Sequence, residues 1–407
     1  MHITSEQILL SSPLGYQDQA SIELYKNDFF VHTLESDHPF LIFDIGQIMI
    51  ANAIVISNRN INPEIKARAT GLKLAISQNF TDWKEINLYP SEDLSYFIAL
   101  YNHQFRFIKL SLEGGKNRII NLKGIELFDV QIPAKTKQPQ FQVHRLISGT
   151  IINGIYYHTY DWGFFSNLTT TLQDIANHYE SIDVISNQYS FSRYKDAQGL
   201  NTWNAYFAKP NKNSPPEMLA NNIFGKDTYQ HAPYNQIDFT VSKSLINDFF
   251  VPNKKLLSRF SAIQKKYRID FEKTIFIYYR GTDKKTELEP DSVNQYLERL
   301  QPLLENDPSL NVFLQTDDRE FCESFQKQYS GALTILDELP IIDGDDGFHN
   351  LVNENKFQAS LDFFAIVLLM SQCQYLLLNT SNVSFWACLY RGHAEGVFQI
   401  DMAVAND

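Results

Sequence analysis

Between Thr274 and Gly392 short apolar runs alternate with stretches of helical spacing, an order that leaves few folds open. "TIFIYY" reads as a buried strand, "QYLERLQPLLE" as a helix, and "NVFLQTDD" as a strand running into a carboxylate-tipped loop. "REFCESFQKQY" then reads as a helix, "ALTIL" as a strand and "ASLDFFAIVLLMSQ" as a helix. "CQYLLLNTSN" is a strand ending in a polar loop, and "VSFWACLYRG" a helix closed by Gly392. Strands and helices in alternation predict a parallel sheet covered on both faces. Ligands of such sheets bind outside the carboxyl ends of the strands. The loops after "TIFIYY", "NVFLQ" and "CQYLLL" are therefore the expected walls of a site.

Residues 1–132 have a different texture. "FLIFDIG", "ANAIVISNR", "GLKLAIS", "FRFIKLSL" and "IINLKGIELF" are short, partly alternating runs with polar turns between them, which predicts an all-β sandwich or jelly roll. Residues 133–142 fall in the Pro-, Gln- and Lys-rich stretch "QIPAKTKQPQFQ", the expected linker. The less regular 143–262 contains a strand–loop–helix unit, "IINGIYYHTYDWGFFSNLTTTLQDIANHY", and is long enough for a smaller α/β half beside 263–407. A length of 407 residues suits two or three domains.

Composition removes several function classes. The formal charge of −12 argues against nonspecific binding to nucleic acid or to an anionic membrane. Cys322, Cys373 and Cys388 form no CxxC pair, so structural zinc and a disulfide scaffold are not expected, and a reducing, cytoplasmic setting fits. "MHITSEQILLSSPLG" lacks the basic and apolar regions of a signal peptide. The most apolar window, Phe363 to Leu378, is interrupted by Ser, Gln and Cys and reads as a buried helix followed by a buried strand, not as a membrane span. The 30 Phe and 21 Tyr are expected mostly in cores.

Three polar clusters fall at the strand ends: Arg280, Thr282, Asp283, Lys284 and Glu287; then Thr316, Asp317 and Asp318; then Asn379, Thr380, Ser381 and Asn382 at a helix start. Hydroxyls, an amide and backbone N–H groups at a helix N-terminus can bind an anion. An Arg fork opposite them can clamp a pyrophosphate. Glu287, seven residues after Arg280, is near enough to serve the same cleft as a base, with Asp161 in "YDWGFFSN" as a second carboxylate. His349 and Lys356 precede the helix that carries Asp362. The D-x-D pattern within Asp343–Asp346 reads as a solvated turn, and no metal site is expected.

"YYRGTDKKTE" is similar to the H-V-R-R-T-D-K-x-x-T-E signature of the α-1,6-fucosyltransferases and nodulation fucosyltransferases. "NVFLQTDD" and "ASLDFFAIVLLMSQCQYLLLNTSNVSFWACLY" resemble the segments that follow it in that family, in the same order over roughly 130 residues. The resemblance implies a GT-B-like architecture of two Rossmann-like halves, a GDP-sugar donor, inversion at the anomeric carbon, and neither metal nor other cofactor. By position it implies that Arg280, Ser381 and Asn382, with Thr380, hold the pyrophosphate. It further implies that Asp362 contacts the nucleotide or shapes its pocket, that Asp317 or Asp318 orders the site, and that Glu287 is the general base with Lys284 beside it; Asp283 and Lys284 read as setting the loop and its field, and His349 and Lys356 as lining the donor pocket or lying in an exposed loop. Tyr278 stands where the family has His, Gly281 where it has a second Arg, and one residue is missing between Lys284 and Glu287.

The first 132 residues resemble the discoidin, or coagulation factor 5/8 type C, modules, with Asn58-Arg59, Arg68-Ala69 and Trp83 in the expected order. Many such modules bind glycans, but Trp83 reads first as core and Arg68 first as a structural ion-pair partner. The expectation is thus a multi-domain chain: a β-sandwich, then a fucosyltransferase-like α/β region that takes a nucleotide sugar and a glycan acceptor. The alternatives are a noncatalytic glycan-binding protein with a degenerate transferase half, or a transferase with another nucleotide-sugar donor.

Overall fold

A computed structural model describes residues 3, 7–11, 31–33, 35–59, 62–88, 94–113, 117–128, 143–146, 148–152, 154–160, 162–196, 200–212, 233–281, 292–343 and 355–400. The chain divides into two compact units, Met1–Asn153 with Tyr157–Asp161, and Gly154–Tyr156 with Trp162–Asp407.

The first unit is antiparallel β. Strands β1 (Ile8–Ser11), β2 (Val31–His32), β3 (Phe40–Asn58), β4 (Leu72–Ser77), β5 (Lys84–Ile86), β6 (Tyr96–Leu112) and β7 (Asn121–Phe128) are ordered β2-β7-β3-β6-β4-β5, with β1 on β3. The segments expected as two strands, "FLIFDIG" and "ANAIVISNR", are one strand of 19 residues. Its register against β6 shifts between Asp44 and Met49 and between Ala51 and Ala53. Such irregularities bend a long strand and raise its twist. Gly46, at φ +88°, supplies the left-handed residue the first shift needs. Leu41, Phe43, Ile54, Ile56, Leu74, Ile76, Ile108, Leu110 and Ile125 form the core. A short helix, α1 (Pro63–Ala67), is capped by Asn62, whose side chain accepts from Ile65 N. Strands β8 (Val143–Arg145) and β9 (Gly149–Ile152) pair antiparallel. They carry this unit past residue 132, and the expected linker, 133–142, lies outside the described residues.

Strand β10 (Ile155–His158) is shared between the units, its start with Gly154–Tyr156 of the second and its end with Tyr157–Asp161 of the first, and the chain from Trp162 onward belongs to the second. There follow α2 (Phe164–His178), β11 (Val184–Ser186), α3 (Trp203–Tyr206), α4 (Phe239–Phe249), α5 (Lys254–Tyr267), β12 (Thr274–Tyr279), α6 (Val293–Asn306), β13 (Asn311–Thr316) and α7 (Arg319–Gln328). The chain ends with β14 (Leu333–Ile335), α8 (Lys356–Gln372), β15 (Tyr375–Asn379), α9 (Asn382–Arg391) and β16 (Val397–Ile400). Strands β12 to β16 form a parallel sheet in the order β14-β13-β12-β15-β16. The order reverses between β12 and β15, which is the switch point of the sheet. All six residues of β12 are buried, as a strand covered on both faces requires. Helix α8 is apolar around most of its circumference and almost wholly buried. Gly392, at φ +76°, ends α9.

Two expectations need correcting. The edge strand β16 lies beyond the last helix read from the sequence. The boundary expected between 262 and 263 falls inside α5, a continuous helix. The aromatic side chains of the helical part of 143–262 pack on α8 and α9, and β10 and β11 are neighbours in a separate four-stranded sheet with β9 and β8. Phe164 and Phe207 lie edge-on to Phe364 at 5.7 and 5.3 Å, and Phe165 packs on Trp386 at 6.4 Å. This cluster accounts for many of the aromatic residues, in keeping with their expected core role. Cys322, Cys373 and Cys388 are buried free thiols, and burial pushes the Cys388 thiol up to about 12. No described helix is long and apolar enough to cross a membrane.

Phe364 is fully buried where these aromatic rings converge. Phe364→Ala should cost about 3–5 kcal/mol of unfolding free energy, read as a lower midpoint in urea.

Candidate functional site

The parallel sheet brings the three polar clusters to one edge. Tyr278 is in register with Gln315 of β13 and Leu378 of β15, so Arg280 and Asp317, just past their strands, and Asn379, the last residue of β15, share one edge. Side chains continue the bonding where the backbone ladder stops. Asn379 Nδ2 donates to Arg280 O (2.9 Å), and Arg280 N donates to Asn379 Oδ1 (3.3 Å). Gly281 N donates to Asp317 Oδ1 (3.1 Å). One amide thus clasps β12 to β15 across the switch point, while a carboxylate ties the β12 loop to β13.

Asp318 is buried and caps α7, accepting from Phe321 N at 2.9 Å. Its other oxygen stands against Gly281. A Cβ on that glycine would lie 2.5 Å from Asp318 Oδ2 and 2.4 Å from Tyr279 Cε1. Tyr279 is itself stacked on Phe321 at 3.9 Å. The position where the similar enzymes carry a second Arg therefore has no room for a side chain unless these groups shift.

At the third cluster, Ser381 caps α9 by accepting from Ser384 N at 3.2 Å. Its own N–H donates to Tyr234 Oη (3.1 Å), so this N–H already has an acceptor within the protein. Thr380 Oγ1 accepts from Gln399 Nε2 (2.8 Å). Thr169 Oγ1 donates to Asn382 Oδ1 (2.9 Å) and accepts from Trp386 Nε1 (2.9 Å). Asp362 lies on α8, where Arg259 Nε (2.5 Å) and Gln358 Nε2 (2.7 Å) donate to its Oδ1. Its neighbour Phe363 lines a narrow pocket with Tyr278, Arg280, Gln315, Asp317, Leu339 and Pro340.

Asp161, Asp283, Lys284, Glu287 and His349 lie outside the described residues. Of the D-x-D stretch, Asp343 pairs with Arg319 Nε at 2.6 Å, and 344–346 lie outside the described residues. Among the described residues no group of three or more His, Cys, Asp or Glu is placed to hold a metal ion.

The first unit holds a polar cluster that the sequence reading missed. His32 is half-buried on β2. Burial first, then the charges of Arg68 and Arg59, hold its pKa below the ordinary 6.5. Asn121 is opposite it in the β2–β7 register. Asn121 is 1 % exposed, and neither Oδ1 nor Nδ2 has a hydrogen-bond partner among the described residues. Arg68 also faces Glu64 at 3.8 Å, the ion-pair role read from the sequence, and Trp83 packs edge-on to Phe80 at 5.8 Å. Arg59 and Arg68 were legible as motif residues. His32 comes from another strand, and Asn121 was hidden in "IINL" as an ordinary strand residue.

Gly281→Ala should lower stability by about 1–3 kcal/mol, seen as a lower Tm, because both neighbours of the new methyl are pinned. The lowered pKa of His32 has a pH signature. As pH falls below 6.5 the unfolded chain takes up the proton before the folded one. Stability is therefore lost until the lower folded pKa is passed. His103 and His393 shift the same way, chiefly through burial. His32→Gln should accordingly flatten, without abolishing, the fall of Tm on acidification.

No family model and no curated protein matches the chain. Among solved structures it is similar to the fucose binding module SpX-3 of Streptococcus pneumoniae, at 17 % identity over 31 % of this chain and 98 % of that one, TM-score 0.24. A fucolectin from the serum of striped bass, Morone saxatilis, is 20 % identical over 35 % of this chain and 55 % of its own, TM-score 0.25. The module CBM32-3 from a family 31 glycoside hydrolase of Clostridium perfringens is 11 % identical over 31 % of this chain and 94 % of its own, TM-score 0.23.

Proposed function

We propose that the second unit is an inverting sugar transferase that uses a nucleotide-sugar donor, GDP-fucose in the reading the sequence resemblance implies, and a glycan hydroxyl as acceptor. The observation that carries this reading is the meeting of Arg280, Asp317 and Asn379 at the switch point of a parallel sheet. Polar groups at that place in such sheets serve ligands. In the reaction, the bond from the anomeric carbon to the β-phosphate oxygen breaks and a bond to the acceptor oxygen forms on the opposite face. The acceptor proton passes to Glu287, and GDP leaves with the bonding pair. Arg280 offsets the charge that grows on the leaving phosphate, the work a metal performs in other transferases. Asp362 acts through Arg259, its ion-pair partner, by fixing α5 against α8 beside the pocket.

A second reading has its own observation. The first unit gathers His32, Arg59, Arg68 and the buried amide of Asn121, which has no hydrogen-bond partner among the described residues. A few convergent polar groups of this kind suit a hydroxyl-rich ligand. This supports glycan binding by the first unit, either beside the transferase or as the sole activity of a chain whose second half is degenerate.

The test is a nucleotide-sugar panel with the full chain. GDP and GDP-fucose should raise Tm where UDP-sugars do not, and mass spectrometry should detect a fucosylated glycan. Arg280→Ala should lower the transfer rate by about 10²–10³. If GDP neither stabilises the chain nor any donor turns over, the transferase reading fails. Retained glycan binding, lost on Asn121→Ala, would then leave the second reading.

A further inference from the structure

The apolar run of β13 ends on a residue that strand packing does not call for. Gln315 is 2 % exposed and lines the pocket formed with Tyr278, Arg280, Asp317, Leu339, Pro340 and Phe363. Its Nε2 donates to Thr316 O at 3.2 Å. Its Oε1 is buried and has no hydrogen-bond partner among the described residues. The opposite amide orientation would set Oε1 against the Thr316 carbonyl, two acceptors facing each other, so the hydrogen-bond pattern fixes which end lacks a partner. A buried acceptor left unpaired is costly, and native proteins retain one only where something offsets the cost.

We infer that Gln315 is a specificity residue of the donor site, and that its Oε1 accepts a hydrogen bond from an O–H or N–H of a nucleoside diphosphate. The inference rests on the nucleotide-sugar reading of the same site. The pocket holds about 20 Å³, room on the order of one water-sized group. It takes the tip of a ligand and not a whole ring. Its walls decide the kind of tip: Tyr278, Phe363, Leu339 and Pro340 are largely apolar, so a donor entering between them has Gln315 Oε1 as an uncommitted acceptor. Arg280 lines the same pocket, which suits a ligand that carries an anionic group on the other side of that donor. Two parts of a nucleoside diphosphate offer such a tip, the N–H groups of the base and the ribose hydroxyls.

The experiment is calorimetric titration of the full chain with GDP and with inorganic pyrophosphate, in wild type and Gln315→Met. The expected result is GDP binding about tenfold weaker in the variant, pyrophosphate binding unchanged, and a Tm equal to or above that of wild type, since an unpaired polar atom has been removed. Unchanged GDP affinity with a lowered Tm would overturn the inference and leave Gln315 as the holder of a buried water only. Should Gln315→Met fail to fold, wild type carries the test with GDP analogues. Inosine diphosphate lacks the exocyclic amine and 2′-deoxy-GDP a hydroxyl, 1-methyl-GDP and 3′-deoxy-GDP lack the remaining ring N–H and hydroxyl, and one of the set should bind about tenfold less tightly than GDP. If all match GDP, the inference is wrong. A wild type that takes up no GDP at all overturns the nucleotide reading first, and the role of Gln315 with it, an outcome distinct from binding that ignores residue 315.

Discussion

The amide of Asn379 closes the carboxyl edge of the parallel sheet. A parallel ladder needs every strand to meet its neighbours through backbone groups, and at the switch point the two central strands diverge into different loops. Arg280 there presents a backbone donor and acceptor beyond the last ladder pair. Asn379 answers both, with Nδ2 to the carbonyl and Oδ1 to the N–H. Asp317 does the same for the next N–H, that of Gly281. The direction in which the chain leaves β12, and so the position of the Arg280 guanidinium, depends on these two side chains. An isosteric apolar residue at either position would remove these bonds to the backbone of the β12 end.

Much of the second unit was legible in the sequence because its elements are strongly patterned. "TIFIYY", "NVFLQ" and "CQYLLL" are strands because a sheet covered on both faces accepts unbroken apolar runs, and "VSFWACLYRG" ends where Gly392 adopts φ +76°. The edge strand β16 escaped notice because "VFQI" is short, only partly buried, and carries a polar residue. The internal boundary at 262 was misread for another reason. Helices α2 and α5 have the amphipathic spacing that covering helices of a sheet would have, yet the aromatic side chains of α2 pack on α8 and α9, and α5 is joined to α8 by the Arg259–Asp362 pair. Periodicity gives the face that is buried and not the partner that buries it.

The candidate site was legible to a different degree at each cluster. That Arg280, Asp317 and Asn379 share an edge follows from strand order alone, and the register bears it out. Their detailed partners did not follow. Ser381 and Asp318 are satisfied helix caps, and Asn382 is bonded to Thr169, 213 residues away in the chain. The atoms of Gln315 and Asn121 that have no partner among the described residues were invisible, since a sequence shows which residues carry polar groups and never which of those groups lack a partner. Both are buried polar residues that follow an apolar run, so each breaks the local consistency that folding stability alone favours. Departures of that kind are expected where a site has been built at some cost to stability.

The close approach at Gly281 also restricts how this site can change by descent. With Tyr279 and Asp318 occupying the space a Cβ would need, a second guanidinium cannot be introduced there by one substitution. Gaining it would require coordinated replacement of the aromatic stack on Phe321 and of the cap of α7. Each of those changes alone removes a stabilising contact before the new charge has a place. The glycine is therefore locked in by its neighbours, and a second charge beside Arg280 has to come from another position.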